Sequence, residues 1–254
     1  MNNSWLIHLT GRNDYALRLF CFHYAGGNAN IFRLWYKELP EQIQVVPVEL
    51  PGHGTRLRES LIDRLSLLVE EAGKAITGYL DRPFVFFGHS MGALISFELA
   101  RFLRRHQLRQ PKHLFISAHI APHLPGTHDP IHALPEDEFV QELRSLNGTS
   151  DEVLRNRELM ALLQPVIRAD FKVCETYSFR PQPPLDIPIT AFGGTDDKDV
   201  SESALRSWEE HTSSDFKLRM LPGDHFFIHT QQTELLQYLS MELSTLLKEG
   251  ERML

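Results

Sequence analysis

A chain of 254 residues is long enough for one large domain, and 42% apolar with 23% charged residues is the balance of a soluble globular protein. A net charge of −7 argues against general nucleic-acid binding, which needs a basic face to displace phosphate counterions. Two cysteines, Cys21 and Cys174, are too few for a disulfide framework and lack a metal-binding spacing, and no apolar run approaches the roughly 20 residues of a membrane span. Residues Met1–His8 carry neither a basic nor a long apolar stretch, so no signal peptide is expected and a reducing cytoplasm is the expected compartment.

The first strand candidate, Trp5–Leu9, is followed by the turn-like cluster Gly11-Arg12-Asn13-Asp14 and then by Leu19–Tyr24. That order predicts an antiparallel hairpin at one sheet edge. Val45–Leu50 is a further strand, and Leu61, Leu65, Leu68, Val69, Ala72 and Ile76 then repeat at helical spacing. Phe84–Phe87 is a short apolar strand leading into a helix with Ala93, Leu94, Phe97, Leu99, Ala100 and Leu103 on one face. The cations that follow, Arg101, Arg104, Arg105, Arg109 and Lys112, could form a local basic patch, although such a run is usually a solvated helix face.

Leu114–Ser117 is the next strand, and from Ala121 to about Pro184 the pattern is helical. Phe139, Val140, Leu143 and Leu146 form one stripe, ended by Asn147-Gly148, and Val153, Leu154, Leu159, Leu162, Leu163, Val166 and Ile167 form further clusters. This stretch is expected to be a helical cap, or lid, inserted at about 121–184 over the end of the sheet; two ordinary crossover helices are the alternative. Ile187–Phe192, Phe216–Leu221 and a helix beyond Thr233 complete the chain. Strands too apolar to be half exposed, alternating with helices, predict an α/β fold: a mostly parallel sheet covered on both faces, in one domain over residues 1–254.

Gly88-His89-Ser90-Met91-Gly92 lies between the strand Phe84–Phe87 and a helix. This is the context of a nucleophile elbow, where glycines two residues either side of the serine avoid clashes of strand with helix. The turn puts the Met91 N–H at a helix N-terminus, where it can stabilise a developing negative charge. A second backbone donor is expected after an early strand. Ala25, in the turn Tyr24-Ala25-Gly26-Gly27, is the candidate; the glycine pair is no dinucleotide-binding fingerprint.

Serine needs a base that is itself oriented by a carboxylate, in the chain order Ser, acid, His. His225 sits in a loop between the last strand and the final helix, where the base belongs, with His229 as the alternative. The loop 193–200 after Ile187–Phe192 offers Asp196, Asp197 and Asp199; the register Gly-x-x-Asp-x-x-Val selects Asp197, and Asp196 is the runner-up. His89 is read as a packing or hydrogen-bonding residue. His119, His123, His128 and His132 fit no zinc spacing and are read as the start of the cap.

The motifs taken together resemble those of type II thioesterases, stand-alone α/β-hydrolases that accompany non-ribosomal peptide and polyketide synthases. The resemblance runs through Phe22-His23-Tyr24-Ala25-Gly26-Gly27, Glu49-Leu50-Pro51-Gly52-His53-Gly54-Thr55-Arg56 and Phe86-Phe87-Gly88-His89-Ser90-Met91-Gly92. It continues through Leu134-Pro135 and Phe139, Leu146-Asn147-Gly148-Thr149, Glu158-Leu159-Met160, Arg168-Ala169-Asp170-Phe171 and Gly223-Asp224-His225-Phe226-Phe227. His23 stands where many relatives have proline. The resemblance implies hydrolysis of acyl, aminoacyl or peptidyl thioesters on the phosphopantetheine arm of a carrier domain, to clear mis-primed or stalled groups. It places the triad on Ser90, Asp197 and His225 and the oxyanion donors on Ala25 and Met91. No metal or other cofactor is expected, and the expected partner of a monomeric enzyme is a transiently docked carrier domain. An esterase or lipase acting on small oxyesters is the rival reading.

Overall fold

The computed structural model, which describes residues 3–126, 129–148 and 151–252, contains six short strands, the first five each followed by a crossover to the next. They are β1 (Leu17–Phe22), β2 (Ile43–Pro47), β3 (Phe84–His89), β4 (Leu114–Ser117), β5 (Ile189–Gly194) and β6 (Phe216–Leu221). All neighbouring pairs are parallel, in the order β2-β1-β3-β4-β5-β6.

The helices are α1 (Leu65–Thr77), α2 (Met91–Arg105), α3 (Glu136–Ser145), α4 (Asp151–Arg155), α5 (Arg157–Glu175), α6 (Glu202–Arg206), α7 (Phe227–Thr230) and α8 (Gln232–Arg252). None is long and apolar enough to cross a membrane.

The pleat of the sheet explains why its central strands are apolar at nearly every position. Phe20, Phe22, Phe84 and Phe86 point to one face and pack with Leu68, Val69, Ala72 and Ile76 of α1 and Leu94, Phe97 and Leu103 of α2. Leu19, Cys21, Val85 and Phe87 point to the other and pack with Leu235, Leu236, Leu239 and Leu243 of α8. Both faces are covered, so both parities are mostly apolar, and the polar exception Arg18 of β1 finds partners in Gln44 of β2 and the Tyr79 carbonyl. At the edge, β6 relaxes this rule: Lys217 and Arg219 are exposed between Phe216, Leu218 and Met220.

The expected N-terminal hairpin does not form. Residues 5–9 make no ladder with β1. Instead Leu6 bridges antiparallel to Val48, just past β2, with the Ile7 N–H donating to the Pro47 carbonyl (3.0 Å) and the Glu49 N–H to the Trp5 carbonyl (2.8 Å). Antiparallel contact at the sheet edge is therefore present, but with β2. Both sides of β1 are already taken by the parallel neighbours β2 and β3, so a hairpin partner has no edge to join.

Between β4 and β5, the described residues of 121–184 contain the helices α3, α4 and α5 and no strand. They carry an apolar cluster of their own, formed by Ile131, Phe139, Leu143, Leu154, Met160 and Ile167, which rides on α5. Asn156 caps α5 by accepting from the Leu159 N–H at 3.1 Å.

Phe86 lies at the centre of the sheet, fully buried, with edge-on rings of Phe20 and Phe22 at 5.9 and 5.6 Å. Phe86→Ala is expected to destabilise the fold by about 3–5 kcal/mol, since the rigid strands cannot collapse into the void. The shift of the urea unfolding midpoint measures it; a loss below about 1 kcal/mol contradicts this packing.

Candidate active site

Ser90 is the single residue between β3 and α2, and it turns the chain at φ 53° and ψ −116°. Such a conformation in a non-glycine residue is strained and persists only where its surroundings hold it. Here the Ser90 N–H donates to the Ser117 carbonyl (2.8 Å), and its own carbonyl accepts from the Ala93 N–H (2.9 Å). The flanking glycines are a steric necessity. A Cβ at Gly88 would overlap the Gly92 carbonyl, and one at Gly92 would overlap the Phe22 carbonyl at the end of β1. The start of α2 is thus pressed against β1 and β3 together. Although Ser90 occupies the N-cap position, its hydroxyl makes no capping bond.

Beside the elbow, residues Tyr24–Gly27 form a tight turn closed by the Gly27 N–H donating to the Tyr24 carbonyl at 2.9 Å, with Gly26 at φ +75°. This is the geometry of a type II turn, whose third position favours glycine. The Ala25 and Met91 N–H groups have no partner among the described residues. Two free donors beside the serine are what an anionic oxygen requires.

His225 lies in the loop after β6, and its Nδ1 is 2.8 Å from Oδ2 of Asp197. The Asp197 side chain is wholly buried, and its Oδ1 accepts from the N–H groups of Asp199 (2.9 Å) and Val200 (3.1 Å). The loop thus curls around its own carboxylate and aims the other oxygen at the imidazole. Asp196 is exposed, and its N–H is spent on the Gly223 carbonyl. Asp197, Asp199 and His225 also hold potential ligand atoms within 4.8 Å of one another. Both oxygens of Asp197 are already engaged, which suits the carboxylate to orienting the histidine.

The other histidines sort by their partners. His89 is fully buried between Ser117 Oγ (Nδ1, 2.8 Å) and the carbonyl of His225 (Nε2, 2.9 Å). Burial holds its pKa well below the usual range, so as a neutral ring it donates from Nε2 and braces the loop of His225. The ring centroids of His89 and His225 are 5.6 Å apart. His229, on α7, contacts the Tyr24 hydroxyl at 2.8 Å and so ties the Ala25 turn to the segment after His225. His119, His123 and His132 turn to separate partners, the Ile120 carbonyl, His211 and Glu175. His128, like Thr149, lies outside the described residues.

A second polar layer, whose residues the sequence motifs contained without revealing their roles, lies behind the turn. Asp170 of α5 is 3% exposed; its Oδ2 accepts from the Gly26 N–H (2.8 Å) and from His53 Nε2 (2.9 Å). His53 Nδ1 faces the Pro51 carbonyl at 3.0 Å. Both partners of His53 accept, so the ring donates twice and is an imidazolium. Burial pushes its pKa down, but Asp170's charge and hydrogen bond, with the Pro51 carbonyl, outweigh this and leave it raised. His23, whose ring centroid is 4.8 Å from that of His53, is pushed down to about 4 by burial and then by the His53 charge. As a neutral ring it donates from Nδ1 to the Tyr24 carbonyl at 2.9 Å. Glu49, also buried, accepts from the Ala29 N–H at 3.0 Å, and Arg56 returns to the Glu49 carbonyl at 2.9 Å.

A parallel sheet with a strained serine after its third strand, and an Asp–His pair on the loops after its last two, defines an α/β-hydrolase. Residues 17–243 match the family described as thioesterase domain, and the chain belongs to that family of thioester hydrolases. It is 45% identical to linear gramicidin dehydrogenase LgrE of Brevibacillus parabrevis, over 96% of this chain and 94% of that protein. It superposes with a TM-score of 0.85 on RedJ, a thioesterase of the prodiginine pathway of Streptomyces coelicolor, at 39% identity over 90% of this chain and 91% of that one. For BorB, a type II thioesterase from the borrelidin cluster, the TM-score is 0.86 at 32% identity, over 94% and 98% of the two chains. The first of these names assigns that relative a dehydrogenase activity; the glycine turn of this chain carries no dinucleotide fingerprint.

Gly92→Ala is expected to abolish soluble, folded protein, whereas Gly11→Ala, with nothing within 4 Å of the added methyl, leaves the thermal midpoint nearly unchanged. Equal stability of the two variants would contradict the tight elbow. A pH dependence also follows from the buried histidines. His23 is pushed down to about 4 and His113 to about 3, each by burial first, while His89 lies well below its ordinary value. From about pH 6.5 down to about 5, the unfolded chain takes up protons at these positions and the folded one does not, so stability falls with pH. His53, raised, works outside this window: its contribution is full below about 6.5 and fades as pH rises through its folded value. Urea midpoints across pH 5 to 7 read this out, and a flat profile contradicts it.

Proposed function

We propose that the enzyme hydrolyses acyl, aminoacyl or peptidyl thioesters carried on phosphopantetheine arms, with Ser90 as nucleophile, His225 as general base and Asp197 as its orienting acid. The observation that carries the reading is the strained Ser90, at φ 53°, beside His89, whose ring lies 5.6 Å from that of His225, itself held through Nδ1 by a buried Asp197. With Nδ1–H given to Asp197, the free Nε2 is the atom able to take the serine proton.

Attack of Ser90 Oγ on the thioester carbonyl moves that proton to His225 and an electron pair to the carbonyl oxygen. The Ala25 and Met91 N–H groups receive the oxyanion, backed by the positive end of α2. Collapse expels the carrier thiolate, which takes the proton from His225. A thiol of pKa about 8.5 leaves more readily than an alcohol. Water then repeats the sequence on the acyl-enzyme, its proton passing through His225 to Ser90, and a free acid is released. These steps require no metal or redox group.

The carrier substrate rests on the similarity to thioesterases whose names place them in biosynthetic pathways, among them RedJ and BorB, and, for YbtT, in an NRPS/PKS pathway. On that reading the enzyme clears mis-primed or stalled groups from carrier domains that dock transiently, and the insertion carrying α3 to α5 forms the lid of the site.

Ser90→Ala is expected to lower kcat/KM by at least about three orders of magnitude with an unchanged thermal midpoint, and a fluorophosphonate should modify Ser90 and no other residue. An active Ser90→Ala enzyme removes the serine from the mechanism. Rates on an acylated carrier and on a small oxyester of the same acyl group test the substrate. Faster turnover of the oxyester would favour an esterase.

A further inference from the structure

The turn that presents the Ala25 N–H is not selected by its own side chains. Its middle peptide, Ala25–Gly26, is oriented by Gly26 at φ +75°. Flipping that peptide plane gives the common type I form, with φ near −90° at the third position, and glycine accepts either sign of φ about equally. Something outside the turn must choose.

We propose that Asp170, clamped by His53, is a positioning residue for this oxyanion turn. Its carboxylate holds the Gly26 N–H, fixes the Ala25–Gly26 peptide plane and anchors the turn to α5, and so fixes where the preceding Ala25 N–H stands and keeps the Ala25 carbonyl turned away from the buried carboxylate. The inference rests on the role of Ala25 in the proposed function above. Its basis is geometric. Asp170 lies 144 residues from Gly26 in the chain and is nearly fully buried, yet the same oxygen takes the Gly26 N–H at 2.8 Å and His53 Nε2 at 2.9 Å. A flipped peptide would withdraw the N–H and turn the Ala25 carbonyl toward that carboxylate, setting an acceptor against an anion. Ile167, one turn earlier on α5, packs against the same glycine, since a Cβ there would stand 3.2 Å from Ile167 Cγ1. The doubly donating His53 holds the Asp170 carboxylate in place in the interior. A buried ion pair is a poor source of stability. Attaching it to the N–H of an exposed glycine makes sense when the orientation of that peptide matters.

Steady-state kinetics on a small acyl thioester, affinity for a trifluoromethyl ketone whose adduct carries an anionic oxygen, and hydrogen exchange at the Gly26 amide together test this. With Asp170→Ala folded at the assay temperature, kcat should fall about 10- to 100-fold, less than the full loss of an oxyanion donor, with KM within about twofold. Ketone affinity should fall in parallel. Asp170→Asn, whose carboxamide oxygen still accepts the Gly26 N–H, should recover most of both. In the wild-type enzyme the Gly26 amide should exchange slowly although the residue is exposed. Wild-type kcat in Asp170→Ala, an effect confined to KM, or an Asp170→Asn enzyme as slow as Asp170→Ala would each overturn the proposal. If Asp170→Ala does not fold, Asp170→Asn and the wild-type exchange rate decide, and a fully unprotected Gly26 amide overturns it. The exchange measurement uses no substrate, so it stands or falls apart from Ser90→Ala, which tests the catalytic reading alone.

Discussion

The N-terminus of α2 is pressed so closely against the ends of β1 and β3 that the chain has one residue, Ser90, in which to reverse from strand to helix. That approach is possible because Gly88 and Gly92 present bare backbone to each other and to Phe22. The strain at Ser90 follows from it, and so does the placement of the free Met91 N–H beside the turn that follows β1. Had α2 stood off by the width of a methyl group, the serine could relax to an ordinary helical cap and the two N–H donors would separate. The apolar strands matter to the site for the same reason: side chains on both faces of the sheet leave the body no freedom to ease the contact.

Around this contact the remaining parts are held by polar groups taken out of water, each kept in one protonation state by its surroundings. His89 is neutral because it is buried, and as a neutral ring it braces the loop of His225. His53 is charged although buried, because both of its nitrogens face acceptors and one of these is a carboxylate. His23, next to it, stays neutral for the complementary reason. The site is therefore ringed by histidines that hold backbone in place, while His225 meets a buried carboxylate that fixes which of its nitrogens carries the proton. The helical insertion reaches this ring through Asp170 and Ile167. Gly148, just beyond α3, lies against the ring of Phe226, next to His225.

Much of this was legible in the chain. Runs with few polar gaps identified a doubly covered parallel sheet, since a half-exposed strand must alternate; β3, β4 and β5, buried at every position, follow that logic, whereas β6, at the edge, alternates. The elbow was legible because the steric demand on Gly88 and Gly92 is local, within four residues. The choice of Asp197 over Asp196 rested on register, and only the structure gives it a physical cause: Asp197 points inward to its own loop amides, and Asp196 does not. The Trp5–Leu9 hairpin was misjudged because a turn-like sequence says that the chain reverses and says nothing about which strand still has a free edge.

The sequence alone determined what depends on neighbours a few residues apart: the periodicities, the glycine-flanked serine, and the loop register that singles out Asp197. Only the tertiary structure decided which of thirteen histidines are neutral braces and which is an imidazolium, and that Asp170 belongs with Gly26 across 144 residues. Protonation and hydrogen-bond pairing depend on burial and on what faces each group across the fold, and neither is encoded in any short stretch of chain.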